Sequence, residues 1–189
     1  MKITVYGGTN NHSYSADEVA ECENLGKWMA EHGFEILTGA CRGYPYYVGR
    51  GAVQGGGRVI GYTPGVNLDE HVKRYQFPTD GVSELVYNDR DAATNSENFL
   101  KRSMEMTPYS DVVVALGGSW GTFSELLFSF FAKKRIVIVE SFQGAGPIFK
   151  TTFDYFKSRD YNPDVQNGAE LIFVKDIPAL KTWLSQLQK

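Results

Sequence analysis

Short apolar runs alternate with segments of helical periodicity along most of the chain. The apolar runs predict strands at residues 3–6, 34–38, 58–62, 84–87, 111–116, 135–140 and 171–174. Apolar residues spaced three or four positions apart predict helices at residues 15–32, 44–53, 95–106, 122–132, from 149 to about 155, and 177–187. This alternation predicts right-handed βαβ units. We therefore expect one three-layer, Rossmann-like α/β domain over residues 1–189, with a mostly parallel sheet of about seven strands and helices on both faces.

Two stretches refine this architecture. Residues 112–116, Val-Val-Val-Ala-Leu, form an unbroken apolar run, which is typical of a strand buried on both faces of a parallel sheet. Residues 63–81 carry two prolines and no clear periodicity. A connection of that length is uncommon unless it is functional or mobile, and the pattern does not decide what it covers.

Three glycine-containing loops follow predicted strands, at residues 7–12, 39–43 and 117–122. Ligands of open α/β sheets bind outside the carboxyl ends of the strands, so all three loops are candidate ligand loops. The candidate residues of the first two loops are Gly7, Gly8, Thr9, Gly39 and Arg42.

The third loop, Gly117-Gly118-Ser119-Trp120-Gly121-Thr122, leads from a strand into a helix. Its glycines allow a tight turn that presents backbone N–H groups, and a helix N-terminus attracts anions. The hydroxyls of Ser119 and Thr122 add donors, so we predict a phosphate or carboxylate site here. The alternative is a turn that needs glycine for steric reasons alone. Neither a dinucleotide fingerprint nor a Walker motif is present.

Composition limits the remaining classes of function. Hydrophobic residues make up 42% and charged residues 22%, as in ordinary globular domains, and the net charge is −3. We therefore expect no nucleic acid or membrane partner. No apolar window approaches a membrane span of ~20 residues, and the first residues do not resemble a signal peptide. With two isolated cysteines and no Cys/His cluster, we expect a cytoplasmic protein without a metal site.

The stretch from Arg102 to Glu125 resembles the LONELY GUY (LOG) family, once mislabelled lysine decarboxylases. That family has a helical Arg, then an Asp-led strand, then the motif PGGxGTxxE. Here Asp111 follows Arg102 by nine positions and Glu125 follows it by 23, without a gap. The wider SLOG superfamily also contains molybdenum-cofactor carrier proteins and DNA-processing proteins. The alternation of elements matches over about residues 1–140, and the specific motif over about residues 98–126.

The resemblance implies a nucleoside 5′-monophosphate phosphoribohydrolase, which releases a free base and ribose 5-phosphate. Arg102 and Glu125 would be catalytic, no cofactor would be needed, and the protein would be a homodimer. The phosphate would bind the loop residues Gly117, Gly118, Ser119, Gly121 and Thr122.

The departures from the motif keep a second function open. The family's leading Pro is Gly117 here, its second Gly is Ser119, and its variable position is Trp120. The usual Lys after the Arg is Ser103, and the usual His two positions before the Arg is Leu100. The alternative is therefore a non-catalytic protein that binds or carries a nucleotide or a phosphorylated cofactor of the molybdenum-cofactor type.

Several single residues also have two interpretations. Glu125 could cap its own helix, since Thr122-x-x-Glu125 has capping-box spacing like Ser15/Glu18. Trp120 could stack on a base or cap the core. Three sets of residues have alternatives as well. Tyr44, Tyr46 and Tyr47 could line a base pocket or pack a helix face, and His12 with Cys41 could form a nucleophilic pair. Asp89, Asp91 and Asn95 could form a cation site or a turn.

Overall fold

Seven parallel strands form one sheet in a computed structural model of the protein, which describes residues 1–8, 14–91, 93–159 and 168–188. The strands are β1 (Lys2–Gly7), β2 (Glu35–Thr38), β3 (Val59–Tyr62), β4 (Glu84–Val86), β5 (Val112–Leu116), β6 (Arg135–Val139) and β7 (Glu170–Val174). Their order is β4-β3-β2-β1-β5-β6-β7, and every neighbouring pair is parallel. The predicted Rossmann-like α/β fold is confirmed.

Helices cover both faces of the sheet. Within the described residues they are α1 (Ala16–Glu31), α2 (Tyr44–Gln54), α3 (Asn95–Met106), α4 (Trp120–Phe131), α5 (Ala145–Lys157) and α6 (Ile177–Gln186). Two short turns accompany them, a π-helical turn at Glu70–Arg74 and a 3-10 turn at Thr107–Tyr109. Helices α1, α2 and α6 pack on one face, whereas α3, α4 and α5 pack on the other.

Strand β5 shows why the sheet has two cores. Val112, Val114 and Leu116 point into the core under α1, α2 and α6, while Val113 and Ala115 point into the opposite core. All five side chains are buried, as the unbroken apolar run predicts.

The sheet has a topological switch point between β1 and β5. The chain continues from β1 to β2 on one side, and it later places β5 on the other side of β1. The register pairs Gly7 with Leu116, so both strands end at the same level. Crevices at such points are the usual ligand sites of open α/β sheets.

The largest differences from the predicted elements concern the starts of two helices. Helix α4 begins at Trp120 rather than Thr122, and α5 begins at Ala145 rather than near Phe149. Gly144 precedes α5 with a φ of 125°, and the Ala145 N–H donates to the Gly118 carbonyl at 2.9 Å. The start of α5 is thus held by a loop distant in sequence, a contact that periodicity does not reveal.

Candidate active site

The first and third glycine loops lie side by side at the switch point. The Gly8 N–H donates to the Leu116 carbonyl at 3.0 Å, and the Thr122 hydroxyl donates to the Gly7 carbonyl at 3.2 Å. A Cβ at Gly7 would lie 2.6 Å from the Leu116 oxygen, so the close approach requires glycine. The Thr122 hydroxyl therefore joins the two loops instead of offering its proton to a ligand.

The start of α4 is open to an anion. Gly117 and Gly118 have φ values of 66° and 96°, which let the chain turn sharply out of β5. Ser119 occupies the N-cap position, but its side chain does not cap the helix. The first N–H groups of a helix need an acceptor, and an anion can supply one. By contrast, the N-cap side chains of α1 and α3 are engaged in capping boxes.

A cleft of about 660 Å³ opens where these loops meet. Its walls come from the end of β1, the loop at 39–43, residues 75–77, one side of α3, and the first three turns of α4. That volume lies within the range of small-molecule sites in proteins, about 300–1,000 Å³. Arg102 and Glu125 both line this cleft, and so do Ser119, Gly121 and Thr122.

Arg102 and Glu125 form a buried ion pair across the base of the cleft. Arg102 Nη2 lies 3.0 Å from Glu125 Oε1, with the residues 5% and 8% exposed. The Ser103 hydroxyl lies 3.0 Å from the same carboxylate oxygen and can donate to it. Glu125 Oε2 has no hydrogen-bond partner among the described residues. One carboxylate oxygen is therefore held in place while the other remains available to a ligand.

Two opposing effects set the charge of Glu125. Burial raises the pKa of this carboxyl above its ordinary value, and the Arg102 guanidinium with the Ser103 hydroxyl lowers it in part. Desolvation is the largest cause. Glu125 therefore holds a proton more readily than an exposed glutamate does.

The interpretation of Glu125 as a helix cap is wrong. Helix α4 begins at Trp120, so Thr122 lies inside the first turn and Glu125 in the second. True capping boxes are formed by Ser15 with Glu18 and by Thr94 with Glu97. The same local spacing has two outcomes because the N-cap position of α4 is occupied by Ser119.

The second loop supports Arg102. Arg102 Nη1 donates to the Gly39 carbonyl at 2.8 Å, and a Cβ at Gly39 would lie 2.7 Å from the guanidinium. Ala40 follows with a φ of 49°, an uncommon conformation for a residue with a side chain. Gly39 is therefore a site residue because it makes room for the guanidinium.

Arg42 reaches a segment that periodicity left unassigned. Its Nε and Nη2 both donate to the Gln76 carbonyl, at 3.1 and 2.7 Å. Gln76 and its neighbours Tyr75 and Phe77 line the cleft. Sequence reasoning missed these three residues, and the only signal was the unusual length of the connection at 63–81.

The remaining candidates are distributed unevenly. Trp120 is 85% exposed at the rim of the cleft, so its role as a cap on the core is wrong. Thr9 and His12 lie outside the described residues. Burial raises the pKa of the Cys41 thiol, which disfavours a thiolate nucleophile.

Packing and ion pairs account for the other two sets. Tyr44 packs edge-on against Phe142, and neither Tyr46 nor Tyr47 lines the cleft. The acidic residues near α3 pair with cations, Asp91 with Arg74 and Asp89 with Lys101.

Among residues 1–8, 14–91, 93–159 and 168–188, no group of three His, Cys, Asp or Glu could hold a metal ion. No helix in the same ranges is long and apolar enough to cross a membrane.

Comparison with known proteins agrees with the fold and with the family resemblance. A model of the SLOG cluster4 family matches residues 1–161, whereas no curated protein matches the chain. TM1055, a structural genomics target, is 22% identical with a TM-score of 0.75, and 98% of each chain is covered. The molybdenum cofactor carrier protein of Chlamydomonas reinhardtii is 24% identical, with a TM-score of 0.64 and coverage of 99% of this chain and 98% of that one.

A third similar structure is DNA processing protein A of Helicobacter pylori, described by its single-stranded DNA binding mode. It is 14% identical with a TM-score of 0.64, covering 98% of this chain and 80% of that one. These likenesses establish a shared fold. They leave the expectation of no nucleic acid partner a prediction.

Proposed function

Because the chain belongs to the SLOG cluster4 family, we propose that its cleft binds a nucleoside 5′-monophosphate and hydrolyses the N-glycosidic bond. The observation that carries this proposal is the buried Arg102–Glu125 pair, which leaves Glu125 Oε2 available beside an uncapped helix N-terminus. The products are the free base and ribose 5-phosphate.

The phosphate binds at the third loop. The backbone N–H groups at the start of α4 and the helix dipole attract an anion. Gly117 and Gly118 turn the chain so that the start of α4 faces the phosphate, and Gly121 leaves open space where a side chain would stand. The exposed Ser119 hydroxyl adds a donor. Thr122 contributes its backbone N–H and, through its bond to Gly7, the placement of the loop. Binding energy at the phosphate then positions the glycosidic bond for reaction.

Glu125 acts on the sugar. As the bond to the base breaks, positive charge develops on the ribose, and a fixed carboxylate nearby stabilises that charge. Its free oxygen also orients the attacking water. The water oxygen bonds to the sugar carbon as the bond from that carbon to the base breaks, and the proton that the water loses balances the one that the departing base takes up. Arg102 and Ser103 are positioning residues, since both contact the other carboxylate oxygen.

The burial of Glu125 and the likeness to a carrier protein favour a second candidate, a protein that binds a phosphorylated small molecule without cleaving it. Burial raises the pKa of this carboxyl, so the charge that hydrolysis requires is harder to maintain than on an exposed glutamate. Among the similar structures, one is described as a molybdenum cofactor carrier. As a carrier, this chain would hold its ligand at the third loop and would not hydrolyse it.

The decisive assay is incubation of the purified protein with AMP, GMP, CMP, UMP and an N6-substituted AMP, with chromatographic detection of free base. We expect release from at least one. Glu125→Gln should reduce turnover by about 100-fold or more while preserving phosphate binding. Glu105→Gln is the matched control and should keep wild-type turnover, because Glu105 is a half-exposed carboxylate of α3 that pairs with Lys101 and lies outside the cleft lining.

If no nucleotide gives free base but the ligands raise the melting temperature of the protein, the hydrolase proposal is refuted and the carrier proposal is supported. Unchanged turnover in Glu125→Gln would refute the assigned role of this residue in catalysis.

The remaining proposals concern the state of the protein in the cell. We propose a cytoplasmic homodimer acting on small phosphorylated molecules and on neither nucleic acid nor membrane. Support comes from the two free cysteines and from exposed apolar side chains on α3 and α5, Met104 and Ile148, which are 58% and 60% exposed. Light scattering after gel filtration tests the dimer, and a band shift with single-stranded DNA tests the nucleic acid prediction.

A further inference from the structure

Three aromatic side chains form one wall of the cleft. This aromatic wall consists of Tyr75, Phe77 and Phe99, all of which line the cavity and are half-buried. The rings of Tyr75 and Phe77 have centroids 5.7 Å apart and planes inclined by 25°. Phe99 of α3 lies 5.7 Å from Tyr75 and 6.2 Å from Phe77. The wall is thus a continuous apolar surface built from rings of two different segments.

The wall is held in position by its polar neighbours. Arg42 donates twice to the Gln76 carbonyl between the two rings, and Asn98 donates to the Tyr75 hydroxyl at 3.1 Å. Gln76 has a φ of 54°, which side-chain-bearing residues rarely adopt. Backbone outliers of this kind concentrate at ligand sites, where the surrounding contacts maintain them.

A buried histidine fixes the two ends of the same segment. His71 Nδ1 lies 2.8 Å from the Thr63 hydroxyl, and Nε2 lies 3.2 Å from the Pro78 carbonyl. Its ring also packs edge-on against Phe77 at 5.8 Å. The aromatic wall is therefore preorganised, which lowers the entropic cost of binding a flat ligand.

We propose that the aromatic wall is the subsite for a planar ring of the ligand, and that it selects bicyclic bases over pyrimidines. The proposal rests on the proposed function for the phosphate anchor at the third loop. Tyr75 and Phe77, whose planes differ by 25°, can stack on a flat base, and Phe99, whose plane is inclined by 78° and 58° to theirs, can contact its edge. A purine-sized base contacts more of this surface than a pyrimidine does. The apolar face of the aromatic wall supplies the stacking, so selection between bases does not require hydrogen bonds.

The test measures binding apart from hydrolysis. The probes are carbocyclic AMP and carbocyclic CMP, in which a methylene replaces the ring oxygen of the sugar, and ribose 5-phosphate, which lacks a base. Affinities are measured by calorimetric titration of the wild-type protein, Phe77→Ala, Phe77→Leu and the control Phe131→Ala. Phe131 is 63% exposed and lies outside the cleft lining.

We expect the wild type to bind carbocyclic AMP more tightly than carbocyclic CMP. Phe77→Ala should weaken the binding of carbocyclic AMP by about tenfold or more, as loss of base stacking does in other proteins. The affinity for ribose 5-phosphate should stay within about twofold of the wild-type value, because this ligand has no base to stack. Phe77→Leu keeps apolar volume without an aromatic face and should show an intermediate loss. Phe131→Ala should bind both ligands as the wild type does.

Equal weakening of carbocyclic AMP and ribose 5-phosphate in Phe77→Leu would overturn the proposal, and so would unchanged binding of carbocyclic AMP. These outcomes are separable from failure of the hydrolase. If no nucleotide is cleaved but the preference for carbocyclic AMP over carbocyclic CMP is lost in the Phe77 variants, the subsite is supported and the proposed hydrolysis is refuted. If Phe77→Leu cleaves AMP with the KM of the wild type, the proposed hydrolysis is supported and the subsite is refuted.

Discussion

Replacing Arg102 by methionine is the most direct perturbation of the site. Methionine keeps an unbranched apolar stem but removes the cation that faces Glu125 at 3.0 Å. It also removes the donor to the Gly39 carbonyl at 2.8 Å. The carboxylate would then be buried with the Ser103 hydroxyl as its remaining partner.

The expected loss of stability has two parts. Removing one partner of a buried ion pair typically costs ~3–5 kcal/mol, because the other charge stays buried without compensation. In a chain of this length, ~1 kcal/mol corresponds to roughly 2–4 °C, so the melting temperature should fall by roughly 6–20 °C near pH 8. The unpaired carbonyl accounts for about 1 kcal/mol of the cost.

The pH dependence separates the two parts. Burial raises the pKa of Glu125 above its value of ~4.3 in an unfolded chain, and loss of Arg102 removes the main opposing influence. The folded variant therefore holds its proton more tightly than the unfolded chain does. Its stability declines as pH rises from about 4.3 through the folded pKa. Denaturant unfolding at pH 4 and pH 8 should show a cost of about 1 kcal/mol at the lower pH and the full cost at the higher.

Lys101→Met is the matched control, because Lys101 is the preceding residue of α3 and pairs with Asp89 and Glu105 near the surface. Its cost should stay below about 1 kcal/mol at both pH values. The reasoning is refuted if Arg102→Met costs no more than this control, or if its cost is the same at pH 4 and pH 8.

Two further predictions concern the loop and the wall. Gly118→Ala, at a φ of 96°, should weaken phosphate binding at least tenfold and destabilise the fold by ~1–3 kcal/mol. Gly56→Ala is the control, because Gly56 has a φ of 77° but lies outside the cleft lining. It should leave the calorimetric affinity for phosphate unchanged, and equal loss of affinity in both variants would contradict the role of the loop in binding. Burial lowers the pKa of His71, so the unfolded chain takes up the proton first and stability should be lost as pH falls below ~6.5. In His71→Gln the stability should depend less on pH between 7 and 5, and an unchanged slope would assign that dependence to other groups.

The element pattern was predictable because it is local. Hydrophobic periodicity alone located α3 at residues 95–106, and the apolar run at 112–116 correctly implied a strand buried on both faces. Turn and cap chemistry identified the start of α1 at Ser15. Each of these features depends on neighbours within a few positions along the chain.

The interpretation of Glu125 shows where local rules fail. Its spacing to Thr122 matches a capping box, yet Ser119 and not Thr122 is the N-cap residue of α4. Glu125 instead pairs with Arg102, 23 residues away. The position in the family motif indicated function, while the capping rule indicated structure. The start of α4 at Trp120 rules out the capping interpretation, and the catalytic role of Glu125 stays a prediction.

By itself, the sequence determined an α/β fold, the three glycine loops, and the pairing of an arginine with a glutamate in one motif. The tertiary structure decided which carboxylate oxygen stays free, that Thr122 binds Gly7, and that residues 75–77 line the cleft. The physical reason is that strands and caps arise from short-range preferences, which the sequence displays. A cleft arises where distant segments meet, and the packing that brings Gln76 to Arg42 leaves no periodic trace in either segment.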